Sequence, residues 1–411
     1  MGSANVTEDF HIRTALMPLL YKDFHCLGAA CRDNCCGGWE IAFNKKDYLR
    51  IKRAAKSEEL KKILSEGMSR LRDKAFGDFY AHFNMGNEGV CAFQTEEGLC
   101  RLQLECGEEA LPLVCRVYPR RDVYTAAGHE LALSPSCEGV LALLWDLPQG
   151  IDFWEEPIPK TDWRTVVAPP EMVRFADVRS FCIDVLQERS LPFTRRMLLL
   201  GLMIQRLKDS DWTEEGTVDQ WLAWGESQLH SPSLRPILDG LPADRAGFLT
   251  GNTPVLLELY KNAAAHEKNV YQELFSALSA REDWAQDLRK FTIDSDRYRE
   301  LEGKLEEFLN HSDYFWENLM VLTAFYQTFP LMKNADVLWR SYVELCVLYS
   351  FFRFAAVLGC HQQASRERLF QVIGTASRGL LHNAKRRSRL LDDLFEKGNG
   401  TLTHMAVLLG G

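Results

Sequence analysis

Several things this sequence is short of narrow its reading first. Basic charge is not in excess: 48 Lys and Arg face 57 Asp and Glu, a formal net charge of −9, which argues against a nucleic-acid binder. No G-x-G-x-x-G turn appears and no βαβ alternation surrounds one, so a doubly wound nucleotide-binding fold is not expected. No C-x2-C pair occurs, which removes the plainest structural zinc modules. No repeat of fixed period stands out. The N-terminus lacks an apolar run between a basic start and a small-residue cleavage site, and Val6 stands where a myristoylation signal needs a small hydroxyl residue. The longest apolar stretch, YVELCVLYSFFRFAAVLGC at 342–360, carries Glu344 and Arg353 and is short for a span. It is expected as a buried bundle helix, with no transmembrane segment. A cytoplasmic location follows as the expectation.

What is present is a globular composition, 46% hydrophobic and 26% charged over 411 residues, long enough for two domains and for a core that needs no covalent staples. The twelve cysteines are unevenly placed. Cys26, Cys31, Cys35, Cys36, Cys91, Cys100, Cys106, Cys115 and Cys137 crowd the first third; only Cys182, Cys346 and Cys360 follow. Residues 1–150 therefore read as an irregular cysteine-rich, metal-binding domain with short β-hairpins. Asn44 is placed as the N-cap of a helix over 45–64. One hairpin is expected with Cys91 and Cys100 on its two arms, and a second over 122–134, turning at Ala-Gly-His. A Pro-rich linker or strap occupies 151–170, within a longer Pro-rich stretch from 147 to 171. From 171 to 411 the periodicity predicts a helical bundle, with helices over 171–189, 193–208, 216–229, 254–280, 284–309, 313–328, 335–358 and 362–396. The fold class expected is mainly α.

Thiols this close together cross-link, sit inert in a core, or hold a metal. A bond between Cys35 and Cys36 would be strained, and a reducing compartment disfavours disulfides. Inert burial suits Cys182, Cys346 and Cys360, which lie in apolar helical runs. It does not suit cysteines set beside Gly28, Gly37, Gly38 and proline, where tight turns let several sulfurs face one point. Metal ligation is the better account. Four-thiolate sites take zinc or an iron–sulfur cluster; scattered single thiols after a C-C pair suit a cluster enclosed by several loops, with zinc as the alternative. Cys106 fits no recurring context and reads as a bystander.

The ordered blocks FHCLGAACRDNCCGGWEI, CAF…GLCRLQ, LPLVCRVYPR and LALSPSC resemble the bacterial flagellin lysine N-methylase family and, more distantly, a group of zinc- or iron-chelating proteins with clustered cysteines. The resemblance covers about residues 15–145. It implies methyl transfer from S-adenosylmethionine to lysine side chains of flagellin, dependent on a cysteine-bound [4Fe–4S] cluster. The family's cysteines fall on Cys26, Cys31, Cys35, Cys36, Cys91, Cys100, Cys115 and Cys137. After the last of these the family often has Pro and Glu, where this chain has Glu138 and Gly139. The C-x3-C-x2-C spacing of radical enzymes that use the same methyl donor is absent.

Methylating lysine needs a neutral amine, whereas the free side chain has a pKa of about 10.4. Glu40, Glu105 and Tyr118 are the candidate bases, Glu40 and Tyr118 foremost. Arg116 and Arg120, with Arg121, are candidates to hold a carboxylate, of the cofactor's methionine moiety or of the substrate protein, or else they solvate a surface or cap a helix. Arg378 and His382 could line an interdomain cleft or lie on a solvated basic helix, and His25 beside Cys26 is a further metal candidate or a turn residue. The competing reading is a non-catalytic zinc- or iron-binding protein whose helices bind a protein partner. A homo-oligomer is left open by either.

Overall fold

The computed structural model describes residues 13–33, 35–37, 41–71, 79–86, 89–158, 166–167, 174–240, 243–263, 265–279 and 291–410. The chain is mainly α, and among the described residues its short strands lie in the N-terminal part. Glu40 lies outside the described residues, as do 284–290 of the helix expected over 284–309.

The cysteine-rich head is built around its own small apolar core of Ile41, Phe43, Tyr48, Ile51, Leu60, Leu64, Phe83, Phe93, Leu102 and Leu111. Asn44 does cap a helix, accepting from the Asp47 N–H at 2.9 Å. The helix ends at Ala54, however, and a second runs Glu58–Gly67. Ser57 starts that second helix by accepting from the Leu60 N–H at 3.1 Å, a local cap that wins over continuous periodicity. Strands β2 (Ala42–Phe43), β3 (Met68–Arg70) and β4 (Ala81–Phe83) form a three-stranded antiparallel sheet in the order β2-β4-β3. Around Cys91 and Cys100 there is a tight turn with isolated bridges rather than a regular hairpin. Thr95 N–H donates to Leu99 O at 2.8 Å and Gly98 takes a positive φ of 78°, a conformation that suits glycine.

A second sheet, in the order β7-β1-β6-β5-β8, joins the chain's distant parts. It comprises β1 (Arg13–Pro18), β5 (Arg120–Thr125), β6 (Gly128–Leu133), β7 (Phe153–Ile158) and β8 (Val166–Val167). β5 and β6 are the expected second hairpin, turning at Ala126–Ala127, one residue earlier than anticipated. The Pro-rich stretch supplies both edge strands, so it straps the sheet; Pro157 sits in β7, on the edge, where its missing N–H costs no ladder bond.

Helices fill the rest. Phe193–Lys208 and Thr217–Leu229 match expectation closely, while 254–280 divides into Arg245–Lys261 and Ala265–Leu278, and 362–396 into Arg366–Leu381 and Ala384–Glu396. In the last case Asn383 caps a new start by accepting from Arg386 N–H at 2.9 Å. The apolar helix Ala335–Gly359 is the central member: Tyr342, Phe351, Phe352 and Phe354 are fully buried. Among the described residues it is long and apolar enough to cross a bilayer, yet 83% of its apolar window is covered by the fold. It packs on Phe193–Lys208 and Arg366–Leu381. The bundle's apolar core also takes in Leu133, Val140, Leu141 and Leu144, so the segment carrying Cys137 is seated directly on the helices.

Candidate functional site

The thiols arrive in two groups. Cys36, Cys91, Cys100 and Cys115 pack around the head's own core. Cys91 N–H donates to Cys36 O at 2.8 Å, and Gly37 bridges Val90, so the C-C turn is stitched to the Cys91 segment by backbone. Cys100 lies at the start of the short helix Arg101–Cys106. Buried Asp47 accepts from Leu113 N–H at 3.3 Å and pairs with Arg50 at 2.8 Å, which fixes the start of the helix Leu113–Val117 that bears Cys115.

Cys26, Cys31 and Cys137 make the second group, assembled by the two residues after Cys137. Glu138, 6% exposed, accepts from the N–H groups of Arg32 at 2.7 Å and Asp33 at 3.2 Å. Gly139 lets the 24–27 segment approach closely: a Cβ there would lie 3.3 Å from the Phe24 ring and 3.6 Å from His25 O. Arg120 holds the same segment from the other side, donating to Phe24 O at 3.2 Å with its guanidinium 4.9 Å from the Phe24 ring centre. Cys26 and His25 are exposed.

The two groups share one electrostatic neighbourhood with Cys35 between them. Burial pushes Cys91 up to about 11 and raises Cys100, Cys115 and Cys36 as well, and for each of the four the charge of Cys35 adds to the effect. In Cys36 the largest cause is its hydrogen bond to Cys35. Burial pushes Cys31 and Cys137 up to about 12 each, Cys137 again feeling Cys35. Cys35 itself is lowered, first by the Cys36 hydrogen bond and further by Arg378. Cys106 stands apart: its thiol donates to Ala54 O at 3.4 Å, and burial and Glu105 raise its pKa against the opposing pull of Lys56. Among the described residues no three His, Cys, Asp or Glu side chains meet at metal-holding distance. In donor chemistry alone these residues suit a metal group: crowded half-buried thiols ionise together only at high cost, and a bound cation would supply the missing charge.

Helix Arg366–Leu381 forms the opposite wall. Gly374 is the point of closest approach, where a Cβ would lie 3.0 Å from an Asp33 carboxylate oxygen and 3.3 Å from Ser136 O. One turn on, Arg378 forks onto Asp33 through two 2.7 Å bonds and reaches Glu267 at 3.0 Å. It is thus a buried interlobe clamp and not part of a solvated face. At the helix end, His382 Nε2 is 2.7 Å from Ser136 Oγ, which is 2.9 Å from the Tyr118 hydroxyl. Tyr118 keeps some accessible surface and His382 is exposed, yet burial of Tyr118 raises its phenol well above the ordinary value, while desolvation, with Arg378 and Arg387, lowers His382 to about 4. Both side chains thus keep some surface open to water while standing among densely packed protein atoms.

The other candidates from the sequence are placed as follows. Arg116 pairs with Glu109 at 2.9 Å, and Arg121 donates to Thr328 Oγ1 at 3.3 Å with its guanidinium 5.2 Å from the Tyr326 ring centre. Glu105 accepts from Ser57 Oγ at 2.7 Å on the surface. Sequence reasoning assigns no role to Asp33, Ser134, Ser136 or Glu138, although all four stand inside or beside the quoted cysteine blocks.

The neutral state of His382 sets a pH dependence. Its folded value lies below the unfolded one of 6.5, so its contribution to stability is complete above that pH and is lost as pH falls through about 4. His382→Gln, which stays neutral, is expected to flatten the acid limb of stability across that window, read as urea midpoint against pH.

A thiol-rich head clamped onto a helical bundle, with a line of polar side chains where they meet, is the class of protein that fold and site define. Residues 179–408 match the family description of the FliB lysine N-methylase C-terminal domain, and the chain belongs to that family. It is 22% identical to Lysine-N-methylase of Salmonella choleraesuis (strain SC-B67) over 367 residues, 86% of this chain and 88% of that protein. The same identity and coverage hold for Lysine-N-methylase of Salmonella typhimurium (strain LT2). The flagellar biosynthetic protein FliU of Salmonella muenchen is 28% identical over 148 residues, 35% of this chain and 83% of FliU. No solved structure matches.

Proposed function

We propose that this chain is a protein-lysine N-methyltransferase that methylates flagellin from S-adenosylmethionine and depends on a cysteine-held [4Fe–4S] cluster. Family membership carries the reading, together with alignment to lysine N-methylases over 86% of the chain. The thiol neighbourhood supports the metal part. Cys36, Cys91, Cys100 and Cys115, which share the head core with Cys35 beside them, would hold the group, with Cys26, Cys31 and Cys137 on its flank. With three of these four thiols as ligands and one iron left without a protein ligand, such a group would supply chelation of the donor's amino and carboxylate groups.

The protein's own residues have two tasks. The cleft must strip water from an incoming ammonium, because desolvation lowers its pKa and frees the lone pair. The clamp through Arg378, Asp33 and Glu267 must keep the thiol loops and the C-terminal helix in one register, since misplacement of about 1 Å can cost about 100-fold in rate.

Iron and sulfide analysis of oxygen-free protein, with mass spectrometry of flagellin incubated with the methyl donor, tests the reading. Brown protein and methyl-sized increments on lysine are expected. Colourless protein with stoichiometric zinc and unmodified flagellin would instead favour the non-catalytic metal protein. Within the same assay Cys36→Ser and Cys115→Ser are expected to lose iron and transfer together, whereas Cys106→Ser and Cys182→Ser keep both.

A further inference from the structure

Beside the thiols, three segments distant in sequence contribute one continuous line of hydroxyl and imidazole groups. The Tyr118 hydroxyl lies 2.9 Å from Ser136 Oγ, and Ser136 Oγ lies 2.7 Å from His382 Nε2. Ser134 braces the middle, its Oγ 2.7 Å from Ser136 Oγ and 3.3 Å from the imidazole nitrogen. Both serines are buried and His382 is exposed, so the line runs from the Tyr118 end, which Cys137 and Cys35 face, to solvent. Hydroxyls both accept and donate, which is what a proton path requires.

We propose that Tyr118, Ser136 and His382 form the relay that deprotonates the substrate lysine before methyl transfer, a role that rests on the lysine-methyltransferase reading above. An ammonium N–H bond breaks and its proton goes to the Tyr118 oxygen. The Tyr118 hydroxyl proton passes to Ser136 Oγ, and the Ser136 proton bonds to His382 Nε2. The lysine is left neutral with its lone pair, and the positive charge now sits on the imidazolium, which releases the proton to water. The relay groups end as they began.

The charges facing the path favour its resetting. Arg378 and Arg387 both act on His382; Arg387 is itself paired with Glu344 at 2.6 Å. Beyond Ser134 stand Tyr326 and, next to it, Arg121, and on the thiol side Cys35 and Cys137 face Tyr118. Two nearby guanidinium groups discourage His382 from keeping the proton, which favours its release to water.

The test uses the full-length, cluster-loaded protein with flagellin, comparing wild type with His382→Gln and the near-isosteric Tyr118→Phe. Both are expected to keep iron content and KM and to lose kcat by about 100-fold near neutral pH. The deficit should shrink as pH approaches the pKa of free lysine, and imidazole in the buffer should partly restore His382→Gly. Independently of activity, the ¹⁵N resonance of His382 Nε2 in metal-free protein is expected to shift in Ser136→Ala and Tyr118→Phe. An active wild type with unaltered kcat and pH profile in His382→Gln and Tyr118→Phe overturns the relay alone, as does an unmoved ¹⁵N resonance. A wild type that transfers no methyl group overturns the methyltransferase reading and the relay with it.

Discussion

Arg378→Leu is expected to destabilise the protein by about 3–5 kcal/mol, because it strands two carboxylates that the fold has largely removed from water. The Asp33 side chain is 13% exposed and that of Glu267 7%, and Arg378 is the cation bound to both. Its loss is not a local matter. Asp33 belongs to the turn between Cys31 and Cys35, while Glu267 lies on the helix Ala265–Leu278, so the same side chain joins the thiol head to two helices of the bundle. Urea denaturation should show the loss, limited proteolysis should open the 26–37 segment, and iron retained per chain should fall. Adding Asp33→Asn and Glu267→Gln to the leucine variant should recover a good part of the stability, since the uncompensated charges are then gone. An unchanged urea midpoint in Arg378→Leu would mean that the clamp is not holding the lobes.

The second large effect is expected at Glu138. Glu138→Ala removes the acceptor for the Arg32 and Asp33 N–H groups and for the Arg32 guanidinium at 3.3 Å. Hydrogen bonds to a charged partner contribute about 1.5–3 kcal/mol, and here they shape the turn on which Cys31, Cys35 and Cys36 sit. Glu138→Ala should therefore lower metal retention more than global stability, whereas Glu138→Gln, which keeps an acceptor oxygen, should lose less of both. The measurement is iron per chain after dialysis, set beside the unfolding midpoint. Equal iron retention in Glu138→Ala and wild type would remove Glu138 from the assembly of the thiols. Glu138 and Gly139 stand where the resembling family often carries Pro and Glu, and in this fold they are a backbone anchor and a close-packing point.

Much of this is legible in the chain itself, where the determinants are local. A side chain that caps its own helix, such as Asn44, is read from neighbours three residues away. The mainly helical character follows from periodicity, and the crowding of cysteines among glycines and turn residues marks the head without reference to anything distant. Helix breaks at Ser57 and Asn383 escape such a reading because a cap and an uninterrupted apolar stripe compete, and the energies differ by little.

The tertiary structure decided the rest. Strands β7 and β8 come from a segment rich in proline, and only pairing with β1 and β5 makes strands of it. Arg378 and His382 sit in a run of basic residues that reads equally well as a solvated helix face. Asp33, Ser136 and Tyr118 lie about 250 to 350 positions away in sequence, and it is their arrival beside this helix, Asp33 and Ser136 against Gly374, that turns its end into a buried clamp and a polar line. No local pattern encodes that meeting, because charge pairing and hydroxyl relays depend on distance in space, whereas composition and period report only distance along the chain.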